Sequence, residues 1–211
     1  IRLLQKGIIR SVISLDDWNR GDIVLYLSKG MVLRKSTPEV LHVSHCGTDY
    51  LLSGLGAQLW LDGQFHIKES QSSQQEIHLK QLQDLGLVEL SDETGMLAAY
   101  YLLARCVICP AKTNERILAQ PTGIERKVWK WLTRAGLHLS IGELTKLLED
   151  NVPLSSELTG HKNAQALIQR LYSDEVAFDT TIDIKMSYAT KRDATVEAVL
   201  GLLQKRRLIL I

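Results

Sequence analysis

The chain has 211 residues, 45% of them hydrophobic and 23% charged, with a formal net charge of +1. That balance excludes a disordered chain, which would hold too few apolar residues to build a core. It also excludes strong global attraction to DNA or acidic lipid.

Such a length suits one large or two small domains. Up to Asn114 there are 11 Lys and Arg against 12 Asp and Glu, and after it 14 against 12, so the second half is slightly basic. Three cysteines argue against a disulfide scaffold and fit the reducing cytoplasm. No apolar run reaches the roughly 18 residues of a membrane span. Ile1-Arg2-Leu3-Leu4 lacks the apolar core of a signal peptide, and the missing initiator Met points to a fragment or a processed chain.

Residues 1–45 read as a β-rich N-terminal extension. Ile23–Leu27 is a buried-strand pattern, Ser28-Lys29-Gly30 is a turn, and Met31–Arg34 is expected to pair back as a hairpin. Pro38 separates these from a third run, Val40–Val43. Thr48 is the expected N-cap of a helix whose face is Leu51, Leu52, Leu55, Leu59 and Trp60. Gly54 and Gly56 cost that helix about 1 kcal/mol each relative to Ala. Close approach of a neighbouring element would offset this, and Asp62-Gly63 ends the helix.

Ser73 and Glu76 have the spacing of a capping box. Leu79, Leu82 and Leu85 make a one-sided stripe, and Gly86 suits the left-handed position after a helix. Leu87–Leu90, a polar turn to Gly95 and an apolar run from Met96 to Ile108 read as two strands of a hairpin, stopped by Pro110. Residues 111–121 read as a linker.

Thr122 and Glu125 form a second box spacing. It opens a helix with Ile124, Val128, Trp131, Leu132 and Ala135 inward and Gly136 at its end. Ser140 and Glu143 form a third, leading to Leu144, Leu147 and Leu148. Asn151–Ser156 is a loop, Ala164–Tyr172 a helix, and Val176–Tyr188 contains strands. Val196, Val199, Leu200 and Leu203 mark a last helix running into the strand Leu208–Ile211. Leu79, Leu82, Leu87 and Val88 match Leu200, Leu203, Leu208 and Ile209 in spacing, an echo between the halves.

With this order of elements, residues 46–108 resemble the winged helix-turn-helix superfamily. Leu82–Leu90 looks like the end of a recognition helix entering the wing. Residues 122–211 look like a more irregular member, with Ser140–Leu148 and Asn163–Tyr172 as second and third helices. The expected fold is therefore α+β: winged-helix-like domains at 46–110 and 122–211, in tandem, with the extension packed on the first.

The resemblance implies a DNA-binding regulator of transcription, often a homodimer; the cysteine usage and the lack of a catalytic motif add the expectation of a cytoplasmic, non-enzymatic protein. Candidate nucleic-acid contacts are Gln75 and Lys80 on the first module. On the second they are Arg126, Lys127 and Lys130 (with Arg134) on one helix, and Lys191, Arg192, Lys205, Arg206 and Arg207 around the last. Glu76 and Asp84 interrupt the polar face of residues 73–85, which weakens the case for DNA contact there.

A second resemblance runs through Lys29–Arg34 and Leu51–Gly63, which are similar to PqqD-like peptide-binding domains with the middle helix shortened between Gly63 and Ser72. It implies a peptide- or protein-binding module that takes up an added strand at a sheet edge without DNA contact.

Other chemistry is sparse. Cys106 and Cys109 form a C-x-x-C that could join Cys46, His42 and His45 at zinc. Val107-Ile108 reads as strand, however, and strand positions three apart face opposite sides, so buried thiols are the plainer expectation and no cofactor is expected. His42, His45 and His66 near Asp49 and Asp62 could serve acid–base chemistry, but no nucleophile motif or phosphate loop accompanies them. Trp129 lies two residues from Trp131 and off its apolar stripe, so it is expected to be covered at a domain or subunit interface.

Overall fold

Cys46 and Gly47 set the first sheet. Both take left-handed backbone angles, φ 49° and 79°, as a two-residue hairpin loop of the primed type requires. In the computed structural model β3 (Val40–His45) and β4 (Thr48–Ser53) pair around this loop, from His45 opposite Thr48 to Val40 opposite Ser53. β2 (Met31–Val32) joins the far side of β3, giving the order β2-β3-β4.

The helix expected from Thr48 therefore starts later. α1 (Gly54–Asp62) begins after Ser53. The four-leucine stripe merges a strand, Leu51-Leu52, with a helix, Leu55 to Leu59. The hairpin expected between residues 23–27 and 31–34 also does not form. β1 (Leu25–Ser28) is the centre of a second sheet, between β5 (Lys68–Glu69) and β6 (Val88–Ser91), so both its edges are taken. Its burial, complete from Tyr26 to Ser28, fits a central strand.

α2 (Ser73–Asp84) is capped one residue earlier than the box spacing suggested. Ser72 Oγ accepts from the Gln75 N–H at 3.3 Å, and the Gln75 side chain accepts from the Gln71 N–H at 2.7 Å. Its other end holds to expectation. Gly86 lies at φ 72°, its N–H donates to the Gln83 carbonyl at 2.8 Å, and the Leu87 N–H donates to the Leu82 carbonyl at 2.9 Å. This is the paired hydrogen bonding of a Schellman motif, and the flanking Leu82 and Leu87 are fully buried. Around them the first core gathers Tyr26, Leu41, Val43, Leu52, Leu59, Trp60, Leu79 and Val88.

The structure describes residues 24–37, 39–111, 121–134, 138–149 and 190–211. The chain divides into two compact units, Ile1–Glu93 and Thr94–Ile211. The boundary exposes a correction. Residues 95–104 form a helix, α3 (Gly95–Ala104), so the strand expected from Met96, and with it the wing hairpin, is absent. Met, Leu and Ala are strong helix formers, and an unbroken apolar run carries no period in the sequence that separates strand from helix.

Within the second unit β7 (Ile108–Pro110) pairs antiparallel with β8 (Leu208–Leu210). α4 (Gly123–Arg134), α5 (Ile141–Glu149) and α6 (Thr190–Gln204) complete it. Val128, Trp131 and Leu132 of α4 are buried as expected, whereas Ile124 is exposed. The Ser140 box forms: Glu143 accepts from the Ser140 N–H at 2.7 Å and Ser140 Oγ accepts from the Glu143 N–H at 3.2 Å. At Thr122 the expected partner, Glu125, instead takes Lys205 Nζ on both oxygens, at 2.6 and 2.7 Å. The linker core, the loop from Asn151, the helix to Tyr172 and the strands of 176–188 lie outside the described residues.

The leucine spacing shared by the halves does not keep its register in the structure, where the matching helix-end hydrogen bonds fall one residue earlier. The Arg206 N–H donates to the Leu203 carbonyl at 2.8 Å and the Arg207 N–H to the Leu202 carbonyl at 3.0 Å. Leu202, Arg206 and Arg207 thus occupy the places of Leu82, Gly86 and Leu87. The protein is α+β, with six helices and three small antiparallel sheets among the described residues.

Candidate functional site

Among the described residues β4 is an outer strand of the sheet β2-β3-β4, with β2 at the other side. Alternate residues of an edge strand turn N–H and C=O away from the sheet, the template for an added strand. Its side chains alternate as strand geometry demands. Leu52 and the half-buried Tyr50 face the core, packed with Trp60 and Leu59. Asp49 and Leu51 face outward, opposite Ser44 and His42 of β3. Leu51 is 38% exposed and Met31, on β2, is 44% exposed. Lys35 Nζ reaches Asp49 Oδ2 at 2.8 Å, with both side chains about half exposed. A hydrogen bond from Lys35, with Ser44 adding to it, holds the Asp49 carboxyl below the usual carboxylate range, so it is charged at neutral pH.

Behind this edge lies a half-buried polar cluster. Lys29 Nζ pairs with Glu89 Oε1 at 2.6 Å, their side chains only 10% and 13% exposed. The Trp60 indole N–H donates to the Lys29 carbonyl at 3.0 Å. His45, at the end of β3, lies near both charges; its Nε2 is 3.5 Å from Cys46 Sγ, and its buried Nδ1 makes no hydrogen bond among the described residues. Burial first, then Lys29, pushes the His45 pKa down, with Glu89 partly opposing.

The candidate nucleic-acid contacts scatter. Gln75 is spent on the cap of α2, where Lys80 is exposed. Arg126 and Lys127 are exposed on α4, Arg126 Nε donating to the Pro121 carbonyl at 3.2 Å, and Lys130 is half-buried. Lys191 Nζ caps α5 by donating to the Glu149 carbonyl at 3.1 Å. Arg192 pairs with Asp193 at 2.6 Å and lies 5.7 Å from the Tyr100 ring centroid. Lys205 is committed to Glu125. Arg207 is 5% exposed and stacks on Trp129, while Arg206 is exposed. Lys205 and Arg207 thus make contacts inside the unit, with Glu125 and Trp129. Trp129 is half-buried, and Arg207 of its own unit provides cover.

The units differ in charge. Ile1–Glu93 holds 9 Lys and Arg against 12 Asp and Glu; Thr94–Ile211 holds 16 against 12. Over residues 24–93 the count is 5 against 9.

Cys46 and His42 belong to the first unit, Cys106 and Cys109 to the second. Cys106 Sγ donates to the Leu102 carbonyl at 3.1 Å, and both of these cysteines are buried. No cluster of three or more His, Cys, Asp or Glu able to hold a metal occurs among the described residues. No described helix is long and apolar enough to cross a membrane.

In the sequence Leu51 reads as part of a helix face and Asp49 only as a neighbour of candidate acid–base histidines, and neither reading places Asp49, Tyr50 and Leu51 on an edge strand. The signal that could have found them is Cys46-Gly47 between alternating runs, a hairpin loop. No family model, curated protein or solved structure matches this chain.

Proposed function

We propose that this chain is a peptide- or protein-binding module that takes up an extended segment along the β4 edge. The observation that supports it is an outer strand of the acidic first unit whose accessible side chains include Leu51, together with a helix where the wing was expected. Strand addition draws affinity from backbone hydrogen bonds and selectivity from alternate side chains, and β4 offers both.

The nucleic-acid-binding, transcription-regulatory reading is the second one. Exposed Arg126, Lys127 and Arg206 in a unit with 16 basic residues favour it. The two differ in salt response. Phosphate contact loses affinity steeply between 50 and 200 mM salt, by about tenfold or more for a few contacts. Titration of the isotope-labelled chain with short extended peptides, followed by the backbone amides of Thr48–Ser53, is the direct experiment. Peptide-induced shifts along β4 support the proposal. Salt-sensitive binding of duplex DNA, with β4 silent to every peptide, would replace it.

A further inference from the structure

Resting on that reading, we infer that the β4 edge selects a partner segment with the pattern basic–apolar–apolar, its Lys or Arg set against Asp49. Residues paired across two strands share a face of the sheet. A residue laid beside Asp49 therefore projects on the outer face with it, and the residue two positions along projects beside Leu51. The residue between them turns inward, beside Tyr50 and the buried Leu52. Parallel docking reads this pattern from N- to C-terminus as basic–apolar–apolar, and antiparallel docking reads it in reverse, apolar–apolar–basic, because β4 runs Asp49, Tyr50, Leu51.

The chemistry at each place is on the surface itself. Asp49 offers a carboxylate, Leu51 an exposed aliphatic side chain, and Tyr50 an aromatic flank at the rim of the core. An acidic residue at the first position would face Asp49 at strand distance, which is destabilising for like charges. The surplus of 9 acidic over 5 basic residues across 24–93 extends the same preference to longer range, by steering a basic segment toward this unit.

Asp49 already pairs with Lys35, in the turn before β3. Exposed pairs of this kind contribute little, so an incoming cation can share or replace Lys35 at low cost. Lys35 acts as a competitor for the site, and it also blunts the edge against indiscriminate pairing while the site is empty.

The test uses the full chain and synthetic peptides that present the pattern in both directions, Lys-Val-Leu-Val-Lys against Glu-Val-Leu-Val-Glu within a neutral extended background. The Lys peptide is expected to bind about two- to fivefold tighter than the Glu peptide. Asp49→Lys should invert that order, and Lys35→Ala should raise affinity for the Lys peptide by a similar factor. Both positions are exposed, and the unchanged amide spectrum of each variant verifies folding. Equal affinities in the wild-type chain, with β4 amides shifting for both, would overturn the charge preference yet leave strand addition standing. Silence of β4 toward both peptides would overturn both. So would β4 shifts that grow with protein concentration alone, or that duplex DNA produces.

Discussion

The guanidinium of Arg207 lies 5.3 Å from the centroid of the Trp129 ring, and the arginine is 5% exposed. Arg207 stands where the first unit places Leu87, so a cation fills a position that elsewhere takes a core leucine. Trp129 is the ring that receives it. A cation–π contact that excludes water is worth about 1–2 kcal/mol. Trp129→Leu and Arg207→Met should each lower stability. In a double-mutant cycle measured by urea unfolding, their coupling should be about 1 kcal/mol. A coupling near zero would mean that Arg207 is held by other contacts.

The two helix ends differ in the residue at the left-handed position, Gly86 at φ 72° and Arg206 at φ 54°. A side chain there strains an L-residue by about 1 kcal/mol. Gly86→Ala should therefore destabilise by about 1 kcal/mol, and Arg206→Gly should stabilise by about 0.5–1 kcal/mol. The ideal Cβ at Gly86 meets only His45, at 3.8 Å, so strain rather than collision sets the cost. Chemical denaturation of both variants checks the opposite signs; a loss at Arg206 would show that its side-chain contacts outweigh the strain.

His45 makes stability depend on pH in a set direction. Its pKa in the folded protein lies below the ordinary 6.5, because burial and Lys29 oppose the charged ring. The unfolded chain therefore binds this proton more readily. The contribution is present above about pH 6.5 and is lost as pH falls below it. Unfolding free energy should decline between pH 7 and pH 5.5, and His45→Gln should flatten that slope. A His45 resonance titrating at or above 6.5 in the folded chain would refute the cause.

The particular errors show what was legible in this sequence. Gly86 and the Ser140–Glu143 box were readable because cap chemistry is local: a few residues supply both partners of each hydrogen bond. The helix expected from Thr48 and the strand expected from Met96 failed for the opposite reason. Leu51-Leu52 is a strand because His42 and Leu41 lie across from it, and that pairing depends on a loop, Cys46-Gly47, rather than on periodicity. β1 pairs with residues more than 40 positions away in the sequence, which no local pattern marks. The basic residues misled because their partners are distant too. Lys205 finds Glu125, 80 positions earlier, and a cation committed in this way looks identical in sequence to one that waits for phosphate.

Lys29 joins the layers of the first unit with three different groups. Its N–H donates to the Leu87 carbonyl at 2.8 Å, its carbonyl accepts from Trp60, and its side chain pairs with Glu89. The backbone bonds survive any substitution that keeps the strand, so the ion pair can be tested alone. Removing one member leaves the other charge without this ion pair in a poorly hydrated place, whereas removing both spares that cost. With the side chains slightly exposed, Lys29→Met should destabilise by about 1–3 kcal/mol, and Glu89→Leu comparably. The double variant should be more stable than either single one. Urea unfolding at pH 7.5 of the four proteins decides it, and additive losses would assign the stability of this site to Trp60 and the backbone rather than to the pair.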